Sequence, residues 1–187
     1  MSANIYKFNE ALARLNTYLK LIDKKIVILA VGGFALMWHG VRGEELTVDI
    51  DSLLNERYSD EVVELIRKVG LECDLEEDWL NTQWSEINHF DTSIYQNVQF
   101  IETDYNYSNI DIKVAELESL LYMKLLHAEE VLPWDDIPLQ DVLFLLGKLS
   151  MSVSEFKDYI EKYKLSVICS NVINKIYTNN FKTSPKH

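Results

Sequence analysis

Cysteine is almost missing from this chain: only Cys73 and Cys169 occur, far apart and outside any CxxC spacing. That excludes a disulfide framework, and the pair reads as two reduced thiols of a cytoplasmic protein. Three prolines and six glycines leave little room for disordered linkers. The segment Met1–Glu10 has no apolar core of the signal-peptide kind, and the longest apolar run, Ile26 to Trp38, is too short to span a bilayer. The expectation is a soluble, cytoplasmic chain with no membrane partner. Positive charge is also scarce: 18 Lys and Arg face 30 Asp and Glu, for a net charge of −12. Phosphate backbones attract clustered cations, and no Lys/Arg cluster appears, so a long RNA or DNA partner is disfavoured. Cationic small molecules or a basic partner protein suit this balance better.

What the chain does have is apolar bulk. At 187 residues and 48% hydrophobic it can bury the core of one domain, or of a core with a helical extension. Residues Ile26 to Val31 are all apolar and rich in β-branched side chains, the pattern of a strand buried on both faces. Gly32-Gly33 follows, then a short apolar helix through Trp38 that ends near Gly40. A strand is expected at Thr47–Asp51. Strand side chains alternate, so Thr47, Asp49 and Asp51 would share one face, with the two carboxylates roughly 7 Å apart along the backbone. Neighbouring carboxylates repel, and hard oxygen donors with few others nearby favour Mg2+ or Mn2+. The plain alternative is two surface charges on a half-buried strand. For Gly32-Gly33 the alternatives are a backbone that approaches a phosphate and a tight turn with no ligand.

The remaining elements follow from periodicity. Ile5, Phe8, Leu12, Leu15, Leu19 and Ile22 recur at helical steps and predict a helix over 4–22. Ser59 caps a second over 60–69, with Gly70 as its stop and a strand at Leu71–Leu75 after it. Strands are expected at Val98–Glu102 and Ile110–Val114, and helices at Glu116–Glu130, Pro138–Leu149 and over the apolar positions from Phe156 to Tyr177. His39 has no metal-spaced partner and reads as structural or solvent-facing. Alternating strands and helices followed by helices alone argue for an α+β fold with an α/β-like core over residues 1–115. A helical region over 116–187 would pack on it.

The apolar strand, Gly32-Gly33, short helix and Asp49-Ile50-Asp51, with fifteen residues between Gly33 and Asp49, resemble the nucleotidyltransferase superfamily of polymerase-β-like fold. The longer stretch from Ile26 to Lys164 looks like a minimal bacterial branch related to AbiEii-type toxin nucleotidyltransferases. Trp79-Leu80-Asn81, the helix around Lys124, and Asp136 with Asp141 belong to that likeness. The resemblance implies a mixed sheet with flanking helices and Mg2+-dependent transfer of a nucleoside monophosphate from an NTP. The acceptor hydroxyl would lie on a protein or small molecule. It also implies roles. Asp49 and Asp51 would hold the metal; Asp111, with Glu102 and Asp104 as alternatives, would be the third carboxylate. Gly32, Gly33, Thr47 and Arg42 would face the nucleotide, Arg42 standing in for an Arg that many relatives carry where this chain has Glu45. Lys124 would reach the triphosphate or form a structural ion pair. The alternative is a degenerate binding protein that acts through a partner, as in a toxin–antitoxin pair.

Overall fold

A computed structural model of the chain describes residues 5–41, 47–54, 57–82, 96–131 and 137–180. Arg42, Glu45, Asp136 and most of the segment expected as loop over 82–97 lie outside them. The fold is α+β, and the chain divides into two compact units, Met1–Glu116 and Leu117–His187. Among the described residues no helix is long and apolar enough to cross a membrane.

The first unit carries a five-stranded mixed sheet in the order β3-β2-β1-β5-β4. Its strands are β1 (Ile26–Val31), β2 (Ile50–Ser52), β3 (Leu80–Asn81), β4 (Phe100–Glu102) and β5 (Ile110–Ala115). The run of apolar residues puts β1 at the centre, parallel to β5 and antiparallel to β2. Ile26, Ile28 and Ala30 line up with Ile110, Ile112 and Val114 on one buried face. Helix α1 (Ile5–Leu21) buries Phe8, Leu12, Leu15 and Leu19. The Phe8 ring meets Phe34 of α2 (Gly32–Trp38) edge-on at 5.7 Å and stacks on Trp79 at 6.4 Å. Trp79 is fully buried, and its indole N–H donates to the Ile66 carbonyl of α3 (Asp60–Glu72) at 2.8 Å. A buried indole with a satisfied N–H is a strong anchor. It fixes the two-residue β3, which has no periodicity of its own, against α3.

Two sequence expectations shift here. The strand at Thr47–Asp51 is shorter and later: β2 starts at Ile50, and Asp49 sits in a bend ahead of it. The expected strand at Leu71–Leu75 is the end of α3, which runs past Gly70 to Glu72. The Leu75 N–H bonds back to the Gly70 carbonyl at 2.8 Å, and Asp74 takes the left-handed conformation that closes the turn. Gly70 is needed for another reason. A Cβ there would strike the Glu76 carbonyl and lie 2.9 Å from Trp79 Cδ1, so its bare backbone admits the returning chain. The parallel crossover from β2 through α3 still forms, but it lands on Leu80–Asn81. The ends of α1 and α2 use the same back-bonded turn, from Lys24 N–H to Leu19 and from Val41 N–H to Leu36. With so few glycines, Asp23 and Asp74 fill left-handed positions that glycine usually takes.

The second unit contains α4 (Leu117–Val131), α5 (Ile137–Lys148), α6 (Val153–Lys162), α7 (Leu165–Ile168) and α8 (Ser170–Asn180). Ser152 and Glu155 form a reciprocal capping box at the start of α6. The Glu129 carboxylate from α4 accepts from the Val172 N–H at 2.9 Å and the Asn171 side chain at 2.6 Å. It thereby caps α8 from a different helix.

Candidate functional site

The residues that carry the sequence motif meet at the end of β1. Gly32 opens α2 with φ +63°, a conformation that L side chains rarely adopt. A Cβ on Gly32 would fall on the Asp51 carboxylate, and one on Gly33 would lie 2.5 Å from Thr47 Oγ1. Asp51 is directly opposite Val31 across the β1–β2 ladder, so both side chains leave the same face of the sheet. Asn81 of β3 is in register with Asp51 on the other side. Its amide N–H donates to Asp49 Oδ2 at 3.1 Å. Thr47, buried, donates to the Asp49 carbonyl at 3.2 Å and approaches Asp49 Oδ1 at 3.4 Å. Sequence reasoning gave Asn81 no role. A two-residue strand has no periodicity to reveal it, and Asn81 stood out only as part of Trp79-Leu80-Asn81.

Burial pushes the Asp49 carboxyl above its ordinary value; the Asn81 hydrogen bond opposes this, nearby Asp78 adds to it, and Thr47 opposes it again. A carboxylate that pays to be charged gains from a nearby cation. The donor set fits a hard divalent ion of the Mg2+ type. Such an ion takes one or two carboxylates and fills its remaining positions with water and phosphate oxygens. Among the described residues no group of three His, Cys, Asp or Glu side chains forms a fuller cage.

Not every candidate is brought here. Asp111 is in register with Val27, four residues upstream of Val31. That is about 13 Å along the strand from the level of Asp51, and across β1 from it. Of the alternatives, Glu102 is tied to Lys113 Nζ at 2.6 Å at the β4 edge of the sheet, the edge away from β2, and Asp104 is exposed beyond β4. Lys124 lies in the second unit, where its ammonium meets the buried Asp141 at 2.9 Å. The structural ion pair weighed for Lys124 is therefore formed. His39 is structural as well: its Nε2 is 2.8 Å from the Ala115 carbonyl, and its ring meets Trp38 edge-on.

No family model, no curated protein and no solved structure matches this chain.

Proposed function

We propose that this protein is nucleotidyltransferase-like, transferring a nucleoside monophosphate from an NTP to an acceptor hydroxyl in the cytoplasm, with Mg2+ or Mn2+ at Asp49 and Asp51. One observation carries the reading. Two sequence segments, Gly32-Gly33 and Thr47–Asp51, pack so closely that a single added methyl at either glycine would collide with the other segment. In the reaction the acceptor oxygen bonds to the α-phosphorus, the bond to the β-phosphate oxygen breaks, pyrophosphate leaves, and the hydroxyl proton passes to water. The bound cation would neutralise triphosphate charge and make the attacking oxygen more acidic. Asp51 would present its carboxylate from a paired strand. Asn81 and Thr47 would hold Asp49 in place, and the glycines would let backbone approach the phosphates.

The placement of Asp111 favours a second reading: a fold of this kind without the third carboxylate, a degenerate binding protein that acts through a protein partner, as in a toxin–antitoxin pair. Calorimetric titration of each NTP, with and without Mg2+, into the parent protein and Asp49→Asn/Asp51→Asn tests both. Metal-dependent binding that the variant loses supports a nucleotide site, and turnover on an acceptor screen then separates the two readings. If well-folded protein binds no NTP, the transfer reading is wrong and a scaffold that acts through a partner is left.

A further inference from the structure

Helix α6 divides its surface in the ordinary way: Phe156, Tyr159 and Ile160 are buried, while Glu155, Lys157, Asp158 and Glu161 are exposed. The helix before it, α5, does not. Leu139, Val142, Leu145 and Leu146 are buried on its inward side. On the outward side stand Ile137, Gln140, Phe144, Gly147 and Lys148. Ile137 is 56% exposed and Phe144 58%. Steps of three and four residues put Ile137, Gln140, Phe144 and Gly147 on one stripe. The one carboxylate of the helix, Asp141, is 2% exposed and paired with Lys124. The outward face thus carries a single charge, Lys148 at its end, in a chain that is 26% charged. A helix that is apolar on both sides belongs in an interior.

Two features of the stripe say what covers it. The first is charge. With 30 acidic and 18 basic side chains the chain suits a basic partner, but such a partner is drawn to carboxylates, and this helix face presents none. Two copies of the chain, each of net charge −12, repel through their charged surfaces, and an uncharged face is where they meet at least cost. The second is shape. Phe144 projects, and three residues on Gly147 leaves open space, with nothing within 4 Å of a Cβ built there. A projection and a gap one turn apart complement each other across a two-fold axis that passes between them. On an antiparallel neighbour each Phe144 then lies over Gly147 of the second copy.

We propose that the outward face of α5 is the contact of a two-fold symmetric homodimer, in which Phe144 of each copy packs against Gly147 of the other. A twelve-residue helix is about 18 Å long and offers less than the roughly 800 Å² per partner of stable complexes. The dimer is therefore reversible and forms as concentration rises. The contact is separate from the Asp49–Asp51 junction and stands whether or not that junction binds nucleotide.

Sedimentation equilibrium of the full chain from about 10 to 500 µM tests the proposal. The mass should rise from that of one chain towards that of two, and no further. Raising the ionic strength should tighten association, because screening relieves repulsion between acidic copies and the contact holds no ion pair. Phe144→Glu charges the projection and Gly147→Leu fills the gap; each should weaken association at least about tenfold. Melting temperatures in dilute solution no lower than that of the parent would show that these variants fold. Val167→Glu, at an apolar position 84% exposed on α7, should leave association unchanged. A monomer throughout the range, a mass that climbs past the dimer, or weakening by salt would overturn the proposal. So would a dimer that survives both α5 variants, or an equal loss in Val167→Glu.

Discussion

Gly32 and Asp51 share one volume: the space a Cβ would need on the glycine is held by the aspartate carboxylate. Strand end, helix start and acidic strand are thereby locked together, and each glycine substitution has its own predicted cost. Gly32→Ala meets both the carboxylate and a backbone at φ +63°, and should lose about 2–4 kcal/mol of stability. Gly33→Ala meets only Thr47 and carries no positive φ, so its loss should be smaller. Urea unfolding of the two variants gives the ranking, and a Gly33 variant as damaged as the Gly32 variant would contradict it.

Asp49 makes stability depend on pH in an uncommon direction. Its folded value lies above the ordinary 3.8, so between the two values the folded state holds more protons than the unfolded chain. By linkage this group's contribution to stability falls as pH rises through that window, and the penalty is fully present above the raised folded value. Asp49→Asn removes the penalty. The variant should therefore melt higher than the parent at pH 7 in metal-free buffer, with the difference shrinking towards pH 4. A difference that grew on acidification would show that the carboxylate is stabilised in the folded protein.

Lys124 and Asp141 form a close pair, with the aspartate 2% exposed. Removing one partner strands the other charge away from water, so Asp141→Ala should cost about 3–5 kcal/mol. Replacing both, as Lys124→Met/Asp141→Leu, should restore most of that loss. Chemical denaturation of the single and double variants checks the cycle, and strict additivity would mean the pair does not interact.

Two helical glycines should respond with opposite signs. Gly70→Ala drives a methyl into the Glu76 carbonyl and Trp79 and should destabilise, because the turn that carries β3 must move. Gly147, exposed in α5, has nothing within 4 Å of a built Cβ, so Gly147→Ala should stabilise by about 0.5–1 kcal/mol. Thermal melts of the two variants suffice. Destabilisation by Gly147→Ala would point to a partner that covers that face.

The parts of this fold that the sequence announced are those with a long local period. The α1 helix and the apolar strands β1 and β5 were legible because burial repeats along them, and the helical second unit because its apolar positions recur every three to four residues. The site was half legible. Gly32-Gly33 and Asp49-Ile50-Asp51 are visible as motifs, but the bend that holds Asp49 outside β2 is not, since alternation alone cannot say where a ladder begins. Lys124 was ambiguous for a related reason: its partner Asp141 lies on the next helix, beyond any local spacing.

From the sequence alone came the elements, the acidic balance and the two segments that could form a site, because propensity and hydrophobic period act over a few neighbouring residues. Tertiary structure alone decided which carboxylates meet. Strand register sets Asp51 opposite Val31 and Asp111 opposite Val27, about 13 Å apart along the strand, although both sit on the same sheet face. It also brought Asn81 to Asp49, since that contact depends on where the chain returns as β3.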